Sequence, residues 1–290
     1  DFIYKTTDDV QHWHPKSRMP FTGLPSHYYC ADIYAIAPHP LTPTTVYAGV
    51  AFGSMSVSNV NAGGLYKSHD AGESWTYISA THPISPVYRV VFAPTDPETI
   101  YLGTGAECHW CEGDGIWRSR DGGKNWDHLE SELDKRRVLA LAVHPTDPHH
   151  LLAGIRNAKN EGEGIVYSQD GGDTWHQAIG LETRRARIVE DIVYHLTQPS
   201  IAFAATHDGL HVSLDSGRSW QRASNAMGEL PVTSLAITED EEGRVRLYVG
   251  TVGGTVTVPP GDLSLRTAQT AQQHVILSAG VYVGHSRWTV

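Results

Sequence analysis

One repeated pattern, Ser-x-Asp-x-Gly-x-x-Trp, constrains the fold of this chain more than any other feature. Its four copies have their aspartates at Asp70, Asp121, Asp170 and Asp215. A weaker copy around Asp8 keeps the tryptophan at the same spacing but lacks the glycine. From Asp8 onward, successive aspartates are 62, 51, 49 and 45 residues apart. This is the period of a four-stranded propeller blade, so the pattern predicts an all-β propeller.

Each copy of the pattern predicts a tight hairpin turn. The aspartate accepts backbone N–H bonds across the turn, and the glycine takes a conformation that a side chain would penalise. The tryptophan then packs between neighbouring sheets. Strands such as Ile116–Ser119 precede each turn, and two more, such as Tyr88–Phe92 and Thr99–Gly103, lie further upstream. Each unit therefore has four strands, named A to D from the channel outward.

These boxes and strands resemble the Asp-box, or bacterial neuraminidase repeat, propellers. That family includes sialidases, xyloglucan hydrolases, sortilin-type receptors and photosystem II assembly factors. The resemblance covers nearly the whole chain and implies boxes on one face, with ligands entering at the other face through the B–C and D–A loops. It does not imply a function, because enzymes and receptors carry the same box.

We expect residues 1–290 to form a single propeller domain of six blades, with seven as the alternative. Five blades are expected at approximately 31–79, 86–130, 136–178, 187–223 and 231–268. The remaining blade joins 270–290 to 1–14. It takes strands C and D from Phe2–Thr6 and Gln11–Trp13, and strands A and B from His274–Ser278 and Val281–Gly284. Such a closure removes free sheet edges.

Composition narrows the possible partners and locations. The formal charge of -10, with 22 Lys+Arg against 32 Asp+Glu and no basic run, excludes nucleic acid and anionic membranes as partners. No apolar stretch reaches the roughly 18–20 residues that span a bilayer, and the first residues lack the features of a signal peptide. The chain does not begin with Met, so we expect a secreted or periplasmic protein if a leader was removed, and a cytoplasmic one otherwise.

A long B–C loop over 104–115 holds the most unusual segment, in which Cys108, His109 and Cys111 have CxxC spacing. Cys30, which follows His27, is predicted on the same face. Three cysteines with His27 or His109 would make a tetrahedral set suited to zinc or copper(I). A Cys108–Cys111 disulfide, unpaired thiols without function, and a reactive cysteine are the alternatives.

Charged residues at the starts of the A strands are predicted to line the channel mouth. They are Asp32, Arg89, Arg137 and the pair Glu190 and Asp191. Such a ring can orient an anionic or polar ligand, and the alternative is a channel in which opposite charges neutralise each other. Long B–C loops over 51–64, 104–115 and 155–164 are predicted to build a pocket beside it.

Most histidines outside these loops are expected to be exposed turn residues on the other face. They include His39, His82, His144, His149 and His150. For His195, His207 and His211, which fall in or beside strands, we expect satisfied structural roles.

Three functions from different classes fit these residues. The first is a small-molecule hydrolase or lyase with a Cys/His pocket, using His27 or His109 as general base and Asp32, Arg89 and Asp191 as further catalytic candidates. The second is a non-catalytic interaction or assembly scaffold. The third is a glycoside hydrolase with Asp32 and Asp191 as its carboxylate pair. Because the cysteines cluster, we favour the first, with a small molecule, a glycan or a protein bound on the long-loop face.

Overall fold

The computed structural model of the chain describes residues 2–5, 12, 14–18, 31–52, 63–79, 84, 86–105, 113–223, 230–239, 245–251 and 276–277. Within these residues all helical or extended structure is β-strand, which confirms the expected all-β class. None of the described residues forms a helix long and apolar enough to cross a membrane.

After an N-terminal pair, β1 (Phe2–Lys5) and β2 (His14–Arg18), four antiparallel sheets of four strands follow one another. Sheet 1 comprises β3 (Ala31–Pro38), β4 (Val46–Phe52), β5 (Gly63–Ser68) and β6 (Thr76–Tyr77). Sheet 2 comprises β7 (Val87–Ala93), β8 (Asp96–Thr104), β9 (Ile116–Ser119) and β10 (Asp127–Leu129). Sheet 3 comprises β11 (Arg137–Val143), β12 (Leu151–Arg156), β13 (Gly162–Ser168) and β14 (His176–Gln177). Sheet 4 comprises β15 (Val189–Tyr194), β16 (Ala202–Thr206), β17 (Gly209–Ser213) and β18 (Gln221–Arg222).

The chain ends differ from the expected closing blade. The partner of β1 is β2, which begins at His14, not the expected Gln11–Trp13. Sheet 5 comprises β19 (Val232–Glu239), β20 (Val245–Thr251) and β21 (Ile276–Leu277). Here β21 runs parallel to β20 and hydrogen-bonds its open edge instead of lying in a sheet with β1. Val281–Gly284 lies outside the described residues, so the six blades and their closure stay predictions.

The Asp boxes form the turns that their sequence predicts. In the third box, the Ser168 hydroxyl donates to Asp170 at 2.7 Å and accepts the Gly172 N–H at 2.8 Å. Asp170 accepts the backbone N–H of Thr174 at 2.9 Å, and Gly172 has φ +96°. The other three boxes repeat this geometry.

The box tryptophans are buried between consecutive sheets, as predicted. Trp126 of sheet 2 packs with Tyr47 and Leu65 of sheet 1. In the same way, Trp175 joins the apolar cluster between sheets 2 and 3, and Trp220 the cluster between sheets 3 and 4. The core therefore consists of separate apolar layers between neighbouring sheets.

Glycines in the second strands allow the next sheet to approach closely. A Cβ atom on Gly49 would lie 2.6 Å from the backbone oxygen of Val87 in sheet 2. A Cβ on Gly103 would lie 2.8 Å from the backbone oxygen of Val138 in sheet 3. Both distances are too short for a real contact, so glycine is needed where one sheet crosses the next.

The expectation that the turn histidines are exposed is wrong for His39, His144 and His150, which are buried. In His39 the ring is buried because its Nδ1 accepts the backbone N–H groups of Leu41 and Thr42, in the turn between β3 and β4, at 3.2 Å each. Such a ring is tucked into its own turn. His149 is exposed as expected, and His82 lies outside the described residues.

Candidate functional site

The first strands of consecutive sheets contact one another and form an inner layer. Each first strand carries a bulge, where it has one residue more than the second strand opposite it, and this extra residue has no paired residue there. The extra residues are Tyr34, Tyr88, Leu139, Glu190 and Thr233. A bulge bends its strand and changes the direction of nearby side chains. In sheet 4 the bulge includes Glu190 and precedes Asp191; the Asp191 carboxylate reaches other first strands, whereas the Glu190 carboxylate reaches Arg156 and His207.

Arg89 connects sheet 2 to sheet 4 across the inner layer. Its Nη2 donates to the backbone oxygen of Glu190 at 2.7 Å and lies 3.9 Å from Asp191 Oδ1. Arg89 and Asp191 were both expected at the channel mouth, and the structure brings them together. Their opposite charges face each other, which is the neutralised arrangement considered as an alternative.

Asp191 is held from three sides. Its Oδ2 accepts the backbone N–H of Leu235 in sheet 5 at 2.9 Å, and its Oδ1 accepts the N–H of Ile192 at 3.0 Å. Burial raises the pKa of this carboxyl despite the nearby Arg89 guanidinium. A carboxylate engaged in this way ties sheets together and offers little capacity to a substrate.

Glu190 is the centre of a second polar group. Its Oε1 accepts from Arg156 Nη2 at 2.7 Å and contacts His207 Nε2 at 2.8 Å. Burial raises the pKa of Glu190, but the charges and hydrogen bonds of Arg156 and His207 outweigh burial and keep that pKa below its usual value. A carboxylate only accepts, so His207 donates through Nε2 and its Nδ1 is the acceptor when the ring is neutral.

The remaining candidates for catalysis and metal binding do not join these groups in the described residues. Asp32 is exposed near the beginning of β3. His27, Cys30, Cys108, His109 and Cys111 lie outside the described residues. The part of the chain that the structure describes contains no group of three or more His, Cys, Asp or Glu that could hold a metal ion.

A groove of about 520 Å³ opens beside sheet 3, on the side opposite the boxes. One wall is the connection from β12 to β13, which belongs to the long loop 155–164. The other walls are the connections that lead into β11 and β15. Its polar lining consists of Glu132, Arg136, Asn157, Glu161, Glu163, Gln177 and Arg187. Of the three long loops expected to form a pocket, 155–164 is the one that lies wholly within the described residues.

Apolar groups form the floor of this groove, and ion pairs shape its walls. Leu133 and Trp175, both buried, lie at the bottom. Arg136 Nε is 2.5 Å from Glu163 Oε2, which links the connection before β11 to β13. The exposed Glu132 side chain forms no ion pair in the described part of the chain. Of the polar groups that line the groove, Arg136, Glu163, Glu161 and Gln177 are engaged with other groups of the chain, so the exposed Glu132 carboxylate is the one most available to a ligand.

Two glycines let the connection before β15 close the groove. A Cβ on Gly162 would lie 2.2 Å from the backbone oxygen of Arg187, and the Gly164 N–H donates to that oxygen at 3.1 Å. Neither this Gly-Glu-Gly segment nor the groove was predicted from the sequence. A possible signal was the similar Gly-Asp-Gly segment at Gly113, which meets Arg136 in the same way.

Sequence comparison relates the chain to receptors and to enzymes. The sequence model of the Sortilin-Vps10 family, described as sortilin, neurotensin receptor 3, matches residues 63–186 and 114–245. Vacuolar protein sorting/targeting protein 10 of Leptosphaeria maculans is 29% identical over 96 residues, which are 33% of this chain and 6% of that protein. A xyloglucanase of Acetivibrio thermocellus is 29% identical over 148 residues, covering 45% of this chain and 16% of the enzyme. The chain thus spans only a small part of the length of these relatives.

Solved structures share the fold at low sequence identity. An ancestral GH74 enzyme has a TM-score of 0.56 and 19% identity, covering 76% of this chain and 27% of its own. The GH74 xyloglucanase of Xanthomonas campestris has a TM-score of 0.52 and 19% identity, covering 78% and 36%. YCF48 of Cyanidioschyzon merolae has a TM-score of 0.50 and 15% identity, covering 86% and 71%. These likenesses identify the architecture as a β-propeller of the Asp-box type.

Proposed function

This chain belongs to the Sortilin-Vps10 family of Asp-box propellers, and from that premise we propose that it binds a glycan chain in the groove beside sheet 3. The groove is the observation that carries the proposal. Its volume of about 520 Å³ lies in the range of ligand sites in proteins. Xyloglucanases among the relatives favour a glycan as the ligand.

The side chains of the groove suit a ligand rich in hydroxyl groups. Carboxylates accept hydrogen bonds, guanidinium groups donate them, and the Gln177 amide does both. A sugar hydroxyl also donates and accepts, so the hydroxyls of a glycan can donate to Glu132 and accept from the Arg187 guanidinium. The apolar floor under these groups would receive the C–H face of a sugar ring.

Binding without hydrolysis fits the charges better than catalysis does. A glycosidase needs one protonated and one ionised carboxyl group on either side of the bond that it cleaves. Glu163 lies in a short ion pair with Arg136, so its carboxyl group is already engaged by another side chain. Asp191, the carboxylate expected from the sequence, is buried and bonded to backbone N–H groups. The family description also names a receptor, which agrees with a binding role.

Calorimetric titration with xyloglucan oligosaccharides tests the proposal. We expect binding that weakens about tenfold in Glu132→Gln and in Arg187→Gln, since each loses hydrogen bonds to the ligand. Glu130→Gln is the matched control, because Glu130 is exposed nearby but does not line the groove. Equal affinity of the groove variants and the control, or no binding at all, would contradict the proposal.

Glycoside hydrolysis in the same groove is the second candidate, because three carboxylates, Glu132, Glu161 and Glu163, line it. Release of reducing ends from the same oligosaccharides is the assay. Activity lost in Glu132→Gln or Glu161→Gln would place the reaction in the groove. Activity lost only in Asp32→Asn would support the carboxylate expected from the sequence.

A hydrolase or lyase that uses Cys30, Cys108, His109 and Cys111, with His27 or His109 as its base, stays a prediction, with zinc or copper as its metal. Elemental analysis of the purified protein tests it. About one equivalent of metal per chain, lost in Cys111→Ser, would support the metal pocket. A metal-free protein with Cys108 and Cys111 oxidised to each other would leave the binding module as the better explanation.

A further inference from the structure

We propose that the interface between sheets 3 and 4 is an acid-sensitive joint, which opens when the stacked imidazoles of His144 and His150 are protonated. The two residues begin and end the turn between β11 and β12, and the His144 N–H donates to the His150 backbone oxygen at 2.9 Å. Their rings are parallel, with centroids 5.1 Å apart. The side chains of both are buried.

Sheet 4 covers this pair of rings. Tyr194, at the end of β15, lies edge-on to His144 at 5.1 Å and to His150 at 6.3 Å. Its hydroxyl donates to the backbone oxygen of Ser216 in the fourth box at 3.3 Å. The histidines therefore lie within the contact between the two sheets, and any change in their charge acts on that contact.

At the equivalent interfaces between earlier sheets, a lysine or an arginine reaches the backbone oxygen of the box, beside a tyrosine at the first of them. Lys67 of sheet 1 donates to the backbone oxygen of Gly122 in the second box at 3.0 Å. Arg118 of sheet 2 donates to the equivalent oxygen of Gly171 in the third box at 2.8 Å. In sheet 3 the corresponding residue is Tyr167, and the oxygen in the fourth box belongs to Ser216, beside which His150 lies. A titratable ring thus takes the place of a cation at this interface.

The groups around His144 and His150 shift the pKa values of the two rings in opposite directions. Burial lowers the pKa of His144, against the charge of Asp147 and the backbone oxygen of Pro199. Burial, His144 and Arg218 lower the pKa of His150, against Asp147 and the backbone oxygen of Ser216. The other rings that face the pair are Tyr194 and Tyr167, and His176 packs behind Tyr167.

The direction of the pH effect follows from these shifts. A histidine whose pKa is lowered in the closed state binds its proton more readily once the interface has opened. The closed interface is therefore fully stable above the ordinary value of 6.5 and loses stability as the pH falls below it. When both rings are protonated they repel each other, and Arg218 adds to the repulsion of a charged His150.

Hydrogen exchange at pH 7.5 and pH 5.0, expressed as protection factors, tests the joint. We expect protection of β12 and β15 to fall at pH 5.0 by about thirtyfold if one imidazole is protonated only when the joint is open, and by more if both are. Protection of β4 and β5 in sheet 1 should not change. The double variant His144→Gln, His150→Gln should lose the pH effect, whereas His149→Gln, at the exposed neighbour, should keep it.

An equal loss of protection in all sheets, no loss in the wild type, or an unchanged loss in the double variant would overturn the proposal. Should the double variant not fold, Arg218→Gln answers the same question. Arg218 is exposed, and removing its charge raises the pKa of His150. The loss of protection at pH 5.0 should then be smaller than in the wild type, and an equal loss would count against the joint.

Discussion

A single buried hydroxyl organises each Asp box. Ser168 is completely buried, and its oxygen both donates to Asp170 and accepts the Gly172 N–H. All three residues lie within five positions of the chain, so the box folds the same way wherever the pattern occurs. This local closure is why the four turns could be predicted from the sequence.

Replacing this serine tests its role. Ser168→Ala leaves the buried Gly172 N–H without an acceptor, so we expect the free energy of unfolding to fall by about 1–3 kcal/mol. Gln169→Ala, at the exposed next residue, should change it by less than about 0.5 kcal/mol. Urea unfolding of the two variants checks this, and equal stability would show that the hydroxyl is dispensable.

At the level of the strand, the bulges and their glycines set the distance between sheets. The residue that follows each bulge pairs with a residue of the second strand. That partner is glycine in four sheets and Ala205 in sheet 4. The sequence predicted the strands from apolar runs and turn residues. The bulges were not predicted, because a bulge depends on how two strands pair; the isolated glycine in the second strand is the signal that marks four of them.

Gly103 is one of the glycines at which neighbouring sheets approach closely. In Gly103→Ala the new methyl group would meet Val138 at 2.8 Å from its backbone oxygen. We expect a loss of about 1–3 kcal/mol in the free energy of unfolding, because the core there is already full. Ala205→Gly, the reverse change in sheet 4, creates no clash and should cost only about 0.5–1 kcal/mol through backbone entropy. Thermal unfolding of both variants compares them.

Across the whole molecule, polar contacts tie sheets that are not neighbours. Arg89 in sheet 2 reaches Glu190 in sheet 4, and the neighbouring Asp191 extends the tie to Leu235 in the adjacent sheet 5. The sequence placed Arg89 and Asp191 at the same mouth because both begin first strands. It could not show that they meet, nor that Arg156 and His207 join Glu190, since that requires the arrangement of three sheets.

A double-mutant cycle measures this tie. Arg89→Met removes the donor and leaves the Asp191 carboxylate buried beside no cation, so we expect about 1–3 kcal/mol of lost stability. In the background of Asp191→Asn, which removes the charge, the same change should cost less. Strictly additive effects in urea unfolding would mean that the two side chains do not interact.

The bond from Arg89 to Glu190 also has a consequence for how the molecule is made. It joins residues that are 101 positions apart. During synthesis at about 5–20 residues per second, the arginine is added to the chain roughly 5–20 s before its acceptor. Each sheet can form on its own in that interval, since its strands are consecutive in the chain. The hydrogen bond between Arg89 and Glu190 therefore forms late in the synthesis of the chain. On a ribosome stalled before Glu190, each sheet would be held only by its immediate neighbours.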